Sequence, residues 1–152
     1  MYPTQKEADE LLNLPKHRTV ETPYPFLIPG LDVRIPLESR NPVISFMLDT
    51  WRSSISLSRI KYQNRVYKNI VLARLDFGHR HENPDGDSVP EQHIHLYREG
   101  YNDKFALPLP YGPFPNEGTY MHFYEIFLRF CNIVTPPLIQ LNPDAAAWGY
   151  FP

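Results

Sequence analysis

Residues 93–99 alternate between polar and apolar side chains, a pattern that is typical of a β-strand. The segment reads His-Ile-His-Leu-Tyr-Arg-Glu, so successive side chains would point to opposite faces of a sheet. Residues 83–86 (Asn-Pro-Asp-Gly) before it and residues 99–104 after it contain the residue types of tight turns. The pattern therefore predicts a strand that returns through a hairpin along residues 104–110.

The apolar residues of this hairpin also predict its register. With Glu99 opposite Lys104, apolar residues face each other across the strands, the pairs being Tyr97 with Ala106, Leu96 with Leu107 and Ile94 with Leu109. An ion pair between Glu99 and Lys104 would add about 0.2–1 kcal/mol. In this register one face is apolar, and the other carries His93, His95, Tyr97, Glu99 and Lys104.

A second strand is predicted at residues 70–77, whose more apolar face carries Val71, Ala73, Leu75 and Phe77. Arg74 and Asp76 would then point the other way. Matching apolar residues across the 78–92 connection sets these two side chains beside His93 and His95, with His79 and His81 in the loop at the edge of this polar face. Another register would gather all these histidines on one face, but it would mix Leu75 and Phe77 with them, so the first is preferred.

Helical patterns flank the predicted strands. Thr4 and Glu7 have the spacing of a capping box, which predicts a helix from Gln5 to Leu14. Near the other end a second helix is predicted over residues 116–133, with Asn116 as its cap. Its apolar face would carry, at helical spacing, Tyr120, Phe123, Phe127 and either Phe130 or Cys131.

The remaining patterns complete an α+β fold. Strands are predicted at residues 32–37, 43–49 and 55–63, the last with a bulge between Leu57 and Ile60, while residues 15–30 are predicted to be a covering loop. The fold class is α+β: an antiparallel twisted β-meander of about six strands, with a short N-terminal helix and a longer C-terminal helix packed on one face.

The length of the chain indicates one domain over residues 1–152. Its predicted parts are a capping helix and loop (1–30), the sheet (31–110), the C-terminal helix (116–133) and a tail (134–152). In the tail, Trp148, Tyr150 and Phe151 would either pack on the domain or remain without fixed structure.

Composition narrows the class of protein. The single cysteine, Cys131, rules out an intramolecular disulfide and fits a reducing compartment. No segment approaches the ~20 apolar residues of a membrane-spanning helix, and the amino terminus lacks the basic-then-apolar pattern of a secretion signal. A cytoplasmic protein without membrane partners is the resulting expectation.

The net charge of −2 hides an uneven distribution of charge. Residues 1–75 contain eleven Lys/Arg against seven Asp/Glu, whereas residues 76–152 contain four against ten. Residues 52–74 contain no acidic residue but six basic ones, namely Arg52, Arg59, Lys61, Arg65, Lys68 and Arg74. A basic stripe beside aromatic residues can follow a phosphate backbone, which makes nucleic acid a candidate partner.

Several runs resemble a known family. Arg74-Leu-Asp76, residues 83–86, residues 93–110 and Phe130-Cys-Asn-Ile133 together resemble a small bacterial domain family of unknown function, associated with bacterial genomes and mobile elements. The resemblance would cover most of the chain and implies no activity. Gly86 with His93, His95 and Glu99 is also similar to the first cupin motif, although Gly118 and His122 have the wrong spacing for the second.

One function compatible with the polar face is metal-independent cleavage of a phosphodiester. RNA is the preferred substrate because its 2′-OH supplies the nucleophile. His93 and His95 would exchange protons, Asp76 or Glu99 would orient an imidazole, and Tyr97 would stack or donate a hydrogen bond. Positive charge for the phosphate would come from Lys104, Arg74, Arg98, Arg59, Lys61 and Arg65. This interpretation predicts a toxin-like ribonuclease of a mobile element.

An alternative is a mononuclear metal site. The His-x-His spacing puts His93 and His95 on the same strand face, and Asp76 or Glu99 would complete a two-histidine, one-carboxylate set for zinc, iron or manganese. His79 or His81 would close the coordination shell. The positive charges of Lys104 and Arg74 would oppose a bound cation.

A third interpretation is non-catalytic. The polar face or the basic hairpin would bind a protein or nucleic-acid partner, as an inhibitory or anti-defence protein of a phage or mobile element would. The plainest interpretation of the same residues is a solvated face, since antiparallel sheets commonly have one side in water.

Overall fold

The computed structural model describes residues 1–141 and 150–151. Within these residues the elements, in chain order, are α1 (Gln5–Asn13), β1 (Lys16–Arg18), β2 (Tyr24–Pro25), β3 (Asp32–Glu38), β4 (Ser45–Arg52), β5 (Ile60–Val66), β6 (Ile70–Phe77), β7 (His81–Glu82), β8 (Ser88–Val89), β9 (His93–Leu96), β10 (Ala106–Pro108), β11 (Gly118–Thr119), α2 (Tyr120–Phe130), β12 (Ile133–Thr135), β13 (Ile139–Gln140) and β14 (Tyr150–Phe151).

One large sheet organises the described part of the chain, with eight strands in the order β10-β9-β6-β5-β4-β3-β1-β12. Its neighbouring strands are antiparallel except β1 and β12, which run parallel. The predicted α+β class is confirmed. The predicted antiparallel meander of about six strands is not exact. Six consecutive strands of the sheet, β10 to β3, are antiparallel, but residues predicted to be loop form β1, which extends the sheet by pairing with both β3 and β12.

Alternation along the central strands gives the sheet one apolar and one polar face. In β5, Ile60, Tyr62 and Val66 are buried in the core, whereas the alternating residues Lys61, Gln63 and Arg65 are only partly buried. Strand β3 follows the same pattern. Because side chains in a strand alternate with period two, the polar residues of neighbouring strands collect on the same face.

Helix α2 packs on the apolar face. Phe123 and Phe127 are fully buried, and their rings lie 5.1 Å from the ring of Phe77 and 6.2 Å from that of Tyr62, between centroids. Burial of each such ring stabilises the fold by roughly 1.5–3 kcal/mol. Buried residues of α1 join the same core cluster. The polar face of the central strands therefore lies on the side away from the helices.

Lys16 of β1 joins the C-terminal ends of both helices. Its side chain is fully buried, and Nζ donates to the backbone carbonyls of Leu12 at 2.7 Å, Leu14 at 3.0 Å and Cys131 at 2.7 Å. A positive charge is favourable beside the C-terminal carbonyls of a helix. Burial nevertheless lowers the pKa of the Lys16 ammonium to about 8.

The helix boundaries show which caps are used. The predicted capping box is confirmed, since Thr4 and Glu7 exchange side-chain and backbone hydrogen bonds and α1 ends at Asn13. The predicted start of the second helix is wrong, because Thr119 rather than Asn116 supplies the cap and α2 begins at Tyr120.

The fifth strand begins later than predicted. Ser53 Oγ accepts hydrogen bonds from the amides of Ile55 and Ser56 at 3.1 and 3.0 Å, which turns the chain before the strand starts. The predicted bulge between Leu57 and Ile60 is absent from this segment, and the irregularity of β5 lies between Asn64 and Arg65. Opposite that point, Leu72 of β6 has no partner in β5. Leu72 belongs to the hydrophobic core, whereas Val71, which was predicted to be a core residue, does not.

The end of the chain is described only in part. Trp148 lies outside the described residues, so its predicted packing stays a prediction, and β14 pairs with β11. No helix of the described residues has the length and apolar character needed to cross a membrane.

Candidate functional site

Two rows of polar side chains cross the sheet because the strands pair in register. In the first row, successive Cα partners from β4 to β9 are Trp51, Lys61, Asp76 and His93. In the second row they are Asp49, Gln63, Arg74 and His95. Neighbouring strands lie about 4.8 Å apart, so each row brings its side chains within reach of one another. The prediction that Arg74 and Asp76 lie beside His93 and His95 is confirmed.

The predicted register of the following hairpin is wrong. Ile94 pairs with Leu107 rather than with Leu109, and Glu99 lies in a turn that the bridge between Arg98 and Asn102 closes. The turn is tight because Gly100 and Asn102 adopt positive φ angles of 84° and 54°. Glu99 and Lys104 therefore do not face each other across the hairpin.

Tyr97 and Glu99 do not join the histidines. Strand β9 ends at Leu96, so the alternation that would carry Tyr97 onto the polar face stops before it. Tyr97 is buried in the core, where its hydroxyl donates to the carbonyl of Pro3 at 2.6 Å. Glu99 accepts a hydrogen bond from the amide of Gln5 at 2.7 Å, in the first turn of α1, where a carboxylate is favourable.

Two of the predicted phosphate-binding cations also lie apart from the histidines. The side chain of Lys104 is exposed, and its backbone carbonyl accepts a hydrogen bond from His81 Nε2 at 2.8 Å. The guanidinium of Arg98 stacks on the ring of Phe105, 4.2 Å from its centroid. The two-residue register shift and the tight turn account for both positions.

Four histidines nevertheless form one cluster. The centroid of the His95 ring lies 4.9 Å from that of His93 and 4.6 Å from that of His81, and His79 lies 5.7 Å from His93. The segment that follows β6 thus brings its two histidines against those of β9. The cluster combines His93 and His95 of β9 with His79 of the loop and His81 of β7.

Gly78 and Asn83 hold this loop in place. Gly78 has a φ of 93°, and a Cβ at this position would approach the carbonyl oxygen of Ser58 to 2.6 Å. Asn83 donates to the carbonyl of Ala106 at 3.0 Å and accepts from its amide at 2.8 Å. Sequence reasoning missed both roles, although the glycine directly before His79 was a signal for a positive φ.

Backbone carbonyls determine the tautomers of the two strand histidines. His93 Nδ1 lies 2.7 Å from the carbonyl oxygen of Pro90, and His95 Nδ1 lies 2.7 Å from that of Asp103. A carbonyl only accepts, so each Nδ1 carries a hydrogen. In a neutral ring the Nε2 lone pair is then free to accept a hydrogen bond or bind a cation.

The two Nε2 atoms differ in what they contact. Arg74 Nη2 donates to His95 Nε2 at 3.0 Å, whereas His93 Nε2 is buried and has no hydrogen-bond partner among the described atoms. Asp76 Oδ2 lies 3.6 Å from it, which is too long for a hydrogen bond. His93 therefore directs an unsatisfied lone pair toward a carboxylate.

Arg74 organises the charges around Asp76. Its Nε lies 3.1 Å from Asp76 Oδ1, and its Nη1 lies 2.7 Å from Asp103 Oδ2. Burial by itself raises the pKa of the Asp76 carboxyl, but neighbouring groups that favour its charged form, the Arg74 guanidinium among them, outweigh burial and hold that pKa well below its ordinary value. Asp76 is thus a buried carboxylate at neutral pH.

His79 completes a set of possible metal ligands. One ligand atom each from Asp76, His79 and His93 lie within 4.8 Å of one another. Burial lowers the pKa of the His79 imidazole, and the nearby carboxylate of Asp76 opposes that shift. His95 stands outside the set because Arg74 occupies its Nε2, and Glu99, a ligand candidate from the sequence, lies in the distant turn.

A groove of about 500 Å³ on the polar face adjoins the cluster. Its cationic lining residues are Arg34, Arg59, Lys61, Arg65 and Arg74, of which Arg34 was not predicted. Arg65 Nε lies 2.7 Å from Asp49 Oδ2, so its charge is paired. Arg34 could have been found from the alternation of β3, which places it in the same row as Asp49.

Comparison with known proteins bears on the family of the chain and not on its reaction. No curated protein and no solved structure matches it. The model of a family of unknown function, DUF6978, matches residues 4–133, a range that contains both helices and all the residues of the site. The predicted resemblance to an uncharacterised domain family is thereby confirmed. The chain belongs to DUF6978, a family of unknown function.

Proposed function

We propose that the protein is a metal-dependent hydrolase in which Asp76, His79 and His93 bind one divalent transition-metal ion. The observation that carries the proposal is His93 Nε2, a buried nitrogen that has no hydrogen-bond partner among the described atoms and faces the Asp76 carboxylate. A lone pair directed at a carboxylate is repulsive unless a cation lies between them or the ring is protonated. A bound metal ion satisfies both groups at once.

The distances are close to those that a metal ion requires. Ligand atoms about 2.1 Å from one tetrahedral ion lie roughly 3.4 Å apart. His93 Nε2 and Asp76 Oδ2 are 3.6 Å apart, and the His79 ligand atom lies within 4.8 Å of both. Since His79 is on a loop and only partly buried, a small rotation of its side chain would complete the triad.

The surroundings of His93 are also those of a metal-binding histidine. Such residues usually donate their second ring N–H to a carbonyl or carboxylate, which fixes the orientation of the ring. The hydrogen bond from His93 Nδ1 to Pro90 has this form. Two imidazoles and one carboxylate favour zinc, iron or manganese over magnesium or calcium, which prefer oxygen ligands.

Three protein ligands leave coordination positions for water and substrate, as in catalytic zinc sites. A bound ion at such a site would activate water for hydrolysis. Arg74 already offsets the charge of Asp76, so a divalent ion would leave the site with net positive charge. That charge would favour an anionic substrate rather than a neutral one.

Metal-free cleavage by His93 and His95, the first candidate from the sequence, has less support. Both rings are fully buried, so neither contacts a substrate in the groove directly. Arg74 also donates to the Nε2 atom through which His95 would accept a proton. Tyr97, Glu99 and Lys104, which would have assisted, lie elsewhere.

Calorimetric titration of chelator-treated protein with zinc tests the binding site. We expect one ion per chain, and we expect His79→Ala, which alters a partly buried loop residue, to weaken binding at least about tenfold. His122→Ala is the matched control, because His122 is exposed on α2, and it should bind zinc like the wild type. Absence of saturable binding, or equal binding by His79→Ala, would refute the site.

Hydrolysis of bis(p-nitrophenyl) phosphate by the zinc-loaded protein tests the reaction class. The expected activity is removed by a chelator, restored by zinc and lost in His93→Ala, provided that circular dichroism shows the variant folded. Activity that survives complete removal of metal would instead favour the metal-free mechanism. Zinc binding without hydrolysis of phosphate esters, carboxylate esters or amides would show a metal-binding protein that is not a hydrolase.

A further inference from the structure

The groove beside Asp76 and His79 contains cations that the protein itself does not neutralise. Arg65 pairs with Asp49 and Arg74 with Asp76, so these charges are already balanced. Arg59 and Lys61 form no ion pair within the described part of the chain, although both line the groove. Unpaired cations inside a concave surface are the usual means of holding an anion.

The register of the sheet places Lys61 next to the proposed metal ligands. Lys61 in β5 is the direct Cα partner of Asp76 in β6 and of Trp51 in β4. Its ammonium rests over the ring of Trp51, 5.7 Å from the centroid, which keeps it on the groove side. The backbones of Lys61 and Asp76 therefore lie one strand spacing apart, about 4.8 Å.

Arg59 lies beside the start of the loop that carries His79. It directly precedes β5, and its backbone and side chain pack against Gly78, the residue before His79. Arg59 and Lys61 thus line the same groove as Asp76 and His79.

We propose that this groove binds a phosphate ester, with the phosphate between Arg59, Lys61 and the metal centre; the inference rests on the proposed function and names its substrate class. A carboxylate would match only one of these charges. A phosphate group offers several acceptor oxygens and up to two negative charges, which suit a forked guanidinium, an ammonium and a metal ion together. The groove of about 500 Å³ has room for the esterified group beside Trp51.

Binding measurements on zinc-loaded protein test this inference with three probes: inorganic phosphate, adenosine monophosphate and a short fluorescent single-stranded RNA. We expect Arg59→Gln and Lys61→Met each to weaken binding of the preferred ester about tenfold, the loss of one charge-assisted contact. Lys68→Met is the matched control, because Lys68 carries the same charge in the adjoining hairpin but is exposed and lies outside the groove. It should bind like the wild type.

The source of the phosphate follows from the probes. Much tighter binding of RNA than of the mononucleotide, with a steep dependence on salt, would identify nucleic acid as the source. Equal or tighter binding of the mononucleotide would identify a small phosphate ester. Binding of none of the probes, or binding that Lys68→Met weakens as much as Lys61→Met, would overturn the inference.

Zinc content measured on the same samples shows whether the phosphate-ester inference fails alone or together with the proposed metal site. Protein that binds zinc at one ion per chain but no phosphate ester would retain the metal site and lose the groove assignment. Protein that binds a phosphate ester through Arg59 and Lys61 without binding zinc would retain the groove and lose the metal site.

Discussion

At the residue scale, the candidate site depends on backbone groups that orient its side chains. The carbonyl of Pro90 fixes the ring of His93, and the amide and carbonyl of Ala106 anchor Asn83, which directly follows the segment that carries His79 and His81. Gly78 lets this loop leave β6 with a positive φ against the backbone of Ser58. The contacts of Asn83 and Gly78 do not follow from residue type alone, since each joins two segments that are distant in the chain.

Replacement of Gly78 by alanine should therefore damage both stability and metal binding. We expect Gly78→Ala to lower the free energy of unfolding by about 2–4 kcal/mol, because a Cβ adds steric conflict to an unfavourable φ. Gly86→Ala is the matched control, since Gly86 has the same φ of 93° with nothing within 4 Å of its Cβ position. It should lose only about 1–2 kcal/mol. Urea denaturation measures both, and equal losses would contradict the assigned packing role.

At the element scale, the hydrophobic pattern predicted some pairings and could not distinguish others. It predicted the pairing of β6 with β9, because a slip of one residue would turn apolar side chains outward. A slip of two residues leaves every side chain on its face, so the pattern could not exclude the observed register of β9 with β10. The turn around Gly100 and Asn102 decides that register, and with it the positions of Glu99 and Lys104.

Strand β1 shows a different limit of sequence reasoning. A lysine in a proline-rich segment is typical of a solvated loop, whereas Lys16 is buried because two helix ends converge on it. We expect Lys16→Met to destabilise the fold by about 2–4 kcal/mol, since three buried carbonyls lose their donor. Lys6→Met on the exposed face of α1 should change the urea midpoint little. Equal midpoints for the two variants would show that the buried ammonium is dispensable.

The same residue predicts a dependence of stability on pH. The pKa of Lys16 is lowered by burial to about 8 in the fold, against 10.5 in the unfolded chain. Between these values the unfolded chain binds a proton that the folded chain has released, so the free energy of unfolding should rise with pH. The rise is on the order of 2–3 kcal/mol. It should appear as a difference between wild type and Lys16→Met in urea titrations from pH 7.5 to 10; parallel curves would contradict it.

At the scale of the whole molecule, one face of the large sheet packs in the hydrophobic core and the other carries the candidate site. Aromatic residues of α2 pack on one face, while the other presents the histidine cluster and the cationic groove in continuous rows across the strands. The α+β class and the location of the cluster were predictable because they depend on alternation along single strands. The choice of His79 rather than His81 as the third member of the metal-ligand set was not, because it depends on how the loop after β6 meets β9.

Anomalous diffraction from crystals grown with zinc examines the metal centre most directly. At the zinc absorption edge we expect one strong peak about 2.0–2.2 Å from His93 Nε2, from a ring nitrogen of His79 and from an oxygen of Asp76. Arg74 should remain paired with His95 in that crystal, leaving His95 outside the coordination shell. The absence of a peak at this position, with zinc bound only at exposed histidines such as His122, would contradict the proposed centre.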